Sequence, residues 1–254
     1  MNNHFFISYS GNKRKEVKLI YEQIKDNLED ITTIIEPFCG SSALSYYLST
    51  IHPGKFKYIL NDNNKILIDI YKIFQEPLKL DEFVLRLNEM SIDINKEKYL
   101  TYVKKANECP YCWYYIHKIC QIVPGLFPIK GKIKTDFEFI KKSPIINFIR
   151  TENIEFSHID AISIFDTYKN DTNNLIFLDP PYMNTCNTLY KCPTINIYEY
   201  LLINKIDPLN SFVVLCLEDN WIIRFLFATN KTTTHDKRYE QSKRNTKHII
   251  IVNK

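Results

Sequence analysis

The chain has 254 residues, 33 Lys and Arg against 29 Asp and Glu for a net charge of +4, with 45% hydrophobic and 24% charged residues. This is ordinary globular usage, with enough chain to bury a sizeable core. No apolar run approaches the ~18–20 residues of a membrane span, and Met1-Asn2-Asn3-His4-Phe5 lacks the basic and apolar regions of a signal peptide. The expectation is an intracellular protein, in cytoplasm or nucleus, with no membrane partner. Seven scattered cysteines, an odd number in a chain this long, point to reduced thiols rather than a disulfide framework.

The charge is unevenly spread. Residues 96–142 carry ten Lys against four acidic residues, and residues 231–254 carry seven Lys or Arg against two. Two basic regions on a mildly acidic remainder suit a polyanion-binding face, with solvated Lys-rich surfaces as the plain alternative.

In chain order, apolar residues at 17, 19, 20, 24 and 28 predict an amphipathic helix over Glu16 to Leu28. Thr33 to Phe38 reads as a β-branched strand ending at Gly40, and Ala43 to Thr50 as a helix. Tyr58 to Asp62 reads as a second strand, followed by a helix from about Lys65 to Phe74. Strand, turn, helix, strand, acidic residue is the opening of a doubly wound sheet. From Glu76 the pattern breaks into a Lys- and Tyr-rich stretch, helical in pieces, which reads as an insertion. The alternation resumes with a strand at 153–156, a helix near 161–168, the apolar run 175–178, a strand at 212–217, a helix at 221–228 and a last strand at 248–252.

Asp179-Pro180-Pro181-Tyr182 follows the buried run 175–178, at the strand end where open α/β sheets bind ligands. Two prolines stiffen the loop, remove N–H donors and leave carbonyls free. Adenine's 6-amino nitrogen is a poor nucleophile because its lone pair is delocalised into the ring. A carboxylate and a carbonyl that accept its two hydrogens draw it toward tetrahedral geometry and aim the lone pair at an electrophilic methyl. Tyr182 offers a ring for an extruded base. The plain alternative is a Pro-Pro turn with a core tyrosine.

Three further segments keep it company. Glu36-Pro37-Phe38-Cys39-Gly40-Ser41-Ser42 follows the first strand as a tight turn, without a GxGxxG fingerprint. Asp62 ends the second strand, placed to accept from ribose hydroxyls or merely to cap a helix. Ser8 to Arg14, including Tyr9, Gly11, Asn12 and Lys13, precedes the first helix with donors for an anionic group.

In this order the segments resemble the alpha-group, Dam-type DNA adenine-N(6) methyltransferases nearly end to end. The resemblance implies a Rossmann-like S-adenosylmethionine-dependent methyltransferase sheet of α/β class with an inserted, mainly helical target-recognition domain. The catalytic domain would be 1–75 and 145–254, and the insertion 76–144. It implies S-adenosylmethionine held by Tyr9, Gly11, Asn12, Lys13, Glu36, Pro37, Phe38, Gly40, Ser42, Asp62, Asp160 and Asp179, with Asp179, Pro180, Pro181 and Tyr182 catalytic. DNA with a flipped adenine is the implied substrate, contacted by Lys118, Lys130, Lys132, Lys134, Lys243 and Arg244. The sequence departs from the family where Ser42 stands near a usual second glycine, and at Ile116 to Pro128, which lacks an Asn and a terminal Arg of the target-reading segment.

RNA as the acceptor, and a nucleic-acid-binding protein on a decayed methyltransferase fold, are the alternatives. Direct one-step transfer is expected, since no Pro-Cys nucleophile takes the place of Asp179. Cys109, Cys112, His117 and Cys120 have compact zinc-like spacing, but their segment reads as an aromatic-rich helix, so thiols without metal is the reading.

Overall fold

The computed structural model describes residues 13–119, 136–182, 200–201, 206, 209–239 and 244–254. Tyr9, Gly11, Asn12, Lys130, Lys132, Lys134 and Lys243 lie outside them, as does Cys120.

The elements run α1 (Val17–Ile24), β1 (Thr33–Glu36), α2 (Ala43–Ile51), β2 (Lys57–Asn61), α3 (Lys65–Gln75), α4 (Pro77–Ser91), α5 (Lys96–Lys105), α6 (Pro110–Ile119) and α7 (Pro144–Ile149). They continue β3 (Ile154–Ser157), α8 (Ala161–Tyr168), β4 (Asn174–Leu178), β5 (Phe212–Glu218), α9 (Trp221–Leu226), β6 (Lys231–Tyr239) and β7 (Arg244–Val252).

The seven strands form one sheet in the order β3-β2-β1-β4-β5-β7-β6. β1 pairs in parallel with β2 and β4, and β4 with β5; β7 runs antiparallel to β5 and to β6. This is the expected Rossmann-like sheet. Every residue of β4 and of β5 is buried, which is why both read as continuous apolar runs rather than alternations. The order reverses between β1 and β4, so the carboxyl ends of these neighbours open the crevice where such sheets hold ligands.

The chain divides into two compact units. One comprises Lys13–Asn64 and Ser157–Lys254 and contains the parallel core; the other contains the helical stretch Lys65–Phe156. In the helical unit aromatic side chains pack against one another within the core. Phe83 meets Phe74 edge-on at 5.2 Å, Tyr114 edge-on at 5.5 Å and Tyr111 face-on at 4.8 Å. Pro77 and Pro144 open α4 and α7 at positions where the missing N–H costs nothing. In the sheet unit, Asp160 caps α8 by accepting from Ser163 N, and Asn220 caps α9 by accepting from Ile223 N.

One strand was not expected. β6 is polar along its length (Lys-Thr-Thr-Thr-His-Asp-Lys-Arg-Tyr), because as the outermost strand it buries little of either face. β7 begins at Arg244, four residues before the strand at 248–252 read from sequence.

Candidate active site

The site is built where three neighbouring strands end. β1 delivers Glu36, β2 delivers Asn61 and Asp62, and β4 delivers Asp179. Asn61 is fully buried and its amide uses its whole hydrogen-bonding capacity. Nδ2 donates to the carbonyls of Pro37 at 3.1 Å and Ile159 at 3.0 Å, and Oδ1 accepts from Ser157 Oγ at 2.8 Å and Ile159 N at 2.9 Å. One side chain thus fixes the turn after β1 and the chain leading to Asp160.

Asp62 follows directly. Its Oδ2 accepts from Gly40 N at 2.9 Å and its Oδ1 from Asn64 N at 2.8 Å. Burial pushes its carboxyl above the ordinary aspartate value, and those two N–H groups counter it. The turn it holds passes through Gly40 at φ 47° and Ser42 at φ 50°, both left-handed. Glycine takes that conformation freely; for serine it costs about 1 kcal/mol. The Ser42 hydroxyl is buried with no hydrogen-bond partner among the described residues.

Glu36 is buried one strand over, its Oε1 accepting from Ser45 N at 2.9 Å and Ser45 Oγ at 2.5 Å. Burial pushes it up to about 7, against the pull of the Ser45 bonds, with the charge of Asp179 adding to the rise.

Asp179 is paired with Lys13. The ammonium lies 2.6 Å from each carboxylate oxygen and 2.8 Å from the Tyr182 hydroxyl, which itself stands 3.2 Å from Asp179 Oδ1. Lys13 is 3% exposed, and burial acts to lower its value. The charges of Asp179 and Glu16 outweigh that and hold it above the usual lysine value, so it remains an ammonium. Burial raises Asp179, and Lys13 pulls it back.

Behind this pair stands a second cluster. The Glu16 carboxylate accepts from His235 Nε2 and His248 Nδ1, each at 2.7 Å, and from Lys237. His235 and His248 face each other across the β6–β7 ladder, so one register places both. The His248 ring meets the Tyr182 ring edge-on at 5.1 Å. Burial alone would raise Glu16, but the two histidine hydrogen bonds and the charges of Lys13 and Lys237 hold it well below the usual carboxylate range. Glu16, His235 and His248 are a group of metal-capable ligands. Here both histidines bond the Glu16 carboxylate, His235 Nδ1 is buried with no hydrogen-bond partner among the described residues, and Lys13 and Lys237 supply positive charge.

Of the residues singled out from sequence, Lys13, Asp179 and Tyr182 are brought into contact, and Gly40 and Asp62 form a second contact. Glu36 lies close enough to Asp179 for its carboxyl to feel that charge. Pro37 is buried and Phe38 packs against the core. Pro180 is buried and Pro181 half-buried. Asp160 is exposed and spends its carboxylate on Ser163. Lys118 lies within α6, and Arg244 opens β7. Asn61, Glu16, His235 and His248 were not foreseen. Asn61 had a signal, being the penultimate residue of a strand end that already drew attention; the others are 219 and 232 positions from Glu16 and had none.

The D12 class N6 adenine-specific DNA methyltransferase model matches residues 9–214. The chain belongs to that family. It is a D12 class methyltransferase, an enzyme of DNA adenine methylation. The type II methyltransferase M.CviBI of Paramecium bursaria Chlorella virus NC1A is 26% identical over 268 residues, covering 97% of this chain and 98% of that protein. Among solved structures, the rRNA methyltransferase aviRa from Streptomyces viridochromogenes is 11% identical, with 100% of this D12 class chain and 91% of that one covered at a TM-score of 0.43. The N-terminal domain of human METTL16 in complex with SAH is 9% identical, with 98% and 77% covered at a TM-score of 0.42. No helix among the described residues is long and apolar enough to cross a membrane.

Proposed function

We propose that this enzyme transfers the methyl of S-adenosylmethionine to the 6-amino nitrogen of an adenine flipped out of DNA, with Asp179 as the acceptor that orients that nitrogen. The observation that carries the proposal is the Lys13–Asp179–Tyr182 contact at the carboxyl end of β4, beside the reversal in strand order.

S-adenosylmethionine supplies a methyl carbon made electrophilic by a positive sulfonium. The residues present suit it. Glu36, Asp62 and Asp179 are three carboxyls against the single ammonium of Lys13, a surplus of negative charge that complements a sulfonium. Asp62 keeps lone pairs beyond the two backbone bonds it accepts, enough for ribose hydroxyls, and the Ser42 hydroxyl is short of a partner. Tyr9, Gly11, Asn12, Lys13, Pro37, Phe38, Gly40 and Asp160 complete the proposed binding set.

Asp179 works as a hydrogen-bond acceptor rather than a strong base. Its two oxygens offer about four lone-pair positions. Lys13 takes two and the Tyr182 hydroxyl stands 3.2 Å from one oxygen, leaving room for an amino hydrogen of adenine. A carbonyl of the Pro-Pro loop accepts the second hydrogen. The nitrogen so held presents its lone pair, bound S-adenosylmethionine would supply the methyl to it, and Asp179 is the acceptor at hand for the proton the nitrogen gives up. Tyr182 is 5% exposed, held by Lys13 at its hydroxyl and by His248 at its ring, so it helps position Asp179, and a base reaches its ring only once that ring is uncovered. The helical unit and the basic segments, with Lys118, Lys130, Lys132, Lys134, Lys243 and Arg244, are proposed to engage the target and its phosphates.

In an Asp179→Ala variant, calorimetric affinity for S-adenosylmethionine should stay within a few-fold while methyl transfer to DNA falls by roughly 100-fold or more. Methylation retained at the wild-type rate would overturn the role of Asp179.

A further inference from the structure

We propose that Cys109-Pro110-Tyr111-Cys112 is a redox-active dithiol, closing to an intramolecular disulfide by exchange with a low-molecular-weight disulfide. This site lies wholly in the helical unit and is independent of the methyl-transfer reading.

Four observations carry it. First, the cysteines are three apart, Cys109 just before α6 and Cys112 inside its first turn, a spacing that makes them neighbours. Cys109 is the residue before the helix, and its carbonyl accepts the helical bond from Trp113 N at 2.9 Å. Second, the backbone N–H of Cys112 donates to Cys109 Sγ at 3.2 Å, so the two residues are already in contact. Third, exposure is asymmetric. Cys109 is half-exposed while Cys112 is buried, which makes one sulfur the point of attack and the other the resolving thiol. Burial, and a hydrogen bond to Cys109, push the Cys112 thiol up to about 12, which suits the buried partner to the resolving role. Fourth, the flanking geometry is fixed. Tyr111 stacks on Phe83, and Lys105 and Arg86 place positive charge beside the pair.

The described residues offer a contrast. Cys39 and Cys216 are buried singly, and burial pushes both thiols well above the ordinary value, as befits inert core residues. His117 Nδ1 is bonded to the Trp113 carbonyl at 2.8 Å, which leaves Nε2 as the ring nitrogen a metal would take, so zinc at these cysteines is an outcome the test separates.

The chemistry balances as an exchange. The Cys109 thiolate attacks one sulfur of RS–SR, the S–S bond breaks, and RS⁻ leaves and takes the proton that Cys109 gave up. Cys112 then attacks Cys109 Sγ as its own proton passes to the second departing RS⁻. Two protein thiols are oxidised, and one external disulfide is reduced to two thiols.

The test uses the full-length reduced protein equilibrated with glutathione buffers of stepped oxidised-to-reduced ratio, alkylated, digested and mapped by mass. The proposal expects Cys109 and Cys112 to lose alkylation together, by roughly tenfold or more, with their shared peptide lighter by two hydrogens. Cys112→Ser should instead accumulate a glutathione adduct at Cys109. Both cysteines staying fully alkylatable across the series, pairing of either with Cys120, or zinc bound at one equivalent and shielding both, would each overturn it.

Discussion

At Asp179, Lys13 Nζ stands 2.6 Å from both oxygens, and the same ammonium reaches the Tyr182 hydroxyl. Burial leaves that carboxylate above the ordinary aspartate value although Lys13 pulls it back, and the same grip fixes its orientation. Glu36 is the opposite case, a carboxyl with hydrogen bonds from Ser45 but no cation of its own. Its value rises from about 4.5 to about 7 on folding. Between those values the unfolded chain has lost a proton that the folded chain keeps, so stability falls as pH rises through the window, by about 3 kcal/mol for this group. Urea unfolding of wild type and Glu36→Gln at about pH 5 and about pH 8 should therefore show wild type losing ground to the variant at the higher pH; a constant gap would contradict the assignment. Ser42 gives a second case. Its left-handed φ of 50° should make Ser42→Gly neutral or stabilising by up to about 1 kcal/mol, read as the midpoint of thermal unfolding. A clear loss would mean that the serine side chain supports the turn.

At the scale of elements, the β6–β7 hairpin is tied to the start of α1 through one carboxylate. Glu16 is buried, satisfied by His235, His248 and Lys237, and held well below the usual carboxylate range. A depressed carboxyl contributes stability that is complete above its unfolded value and is lost as pH falls toward its folded one. Glu16→Gln should cost about 3 kcal/mol near neutrality and flatten acid unfolding, as followed by circular dichroism. An unchanged acid limb would show that Glu16 carries no such linkage. The parallel core was legible in the sequence, because buried strands such as β4 and β5 are unbroken apolar runs and their polar ends stand out. Asp62 and Asp179 were read from that contrast. β6 was not legible, since an outer strand of Thr, Lys and His carries no apolar alternation. The same blindness hid His235 and His248, which matter only once the β6–β7 register sets them opposite each other and α1 brings Glu16 to them. Lys13 was read as a donor for the cofactor; its grip on Asp179, 166 positions away, could not be read from spacing.

At the scale of the whole molecule, family membership gives the reaction and the sheet gives the place. The carboxyl ends of β1, β2 and β4 gather Glu36, Asp62 and Asp179, and the basic segments fall at residues 96–142 and 231–254. The most direct test supplies S-adenosylmethionine with a labelled methyl to the purified enzyme, with duplex DNA, single-stranded DNA and RNA of matched sequence as acceptors, followed by nucleoside analysis. The account predicts label in N6-methyladenine from DNA, lost with Asp179→Ala. Label confined to RNA, on another atom of the base, or undiminished in that variant would contradict it.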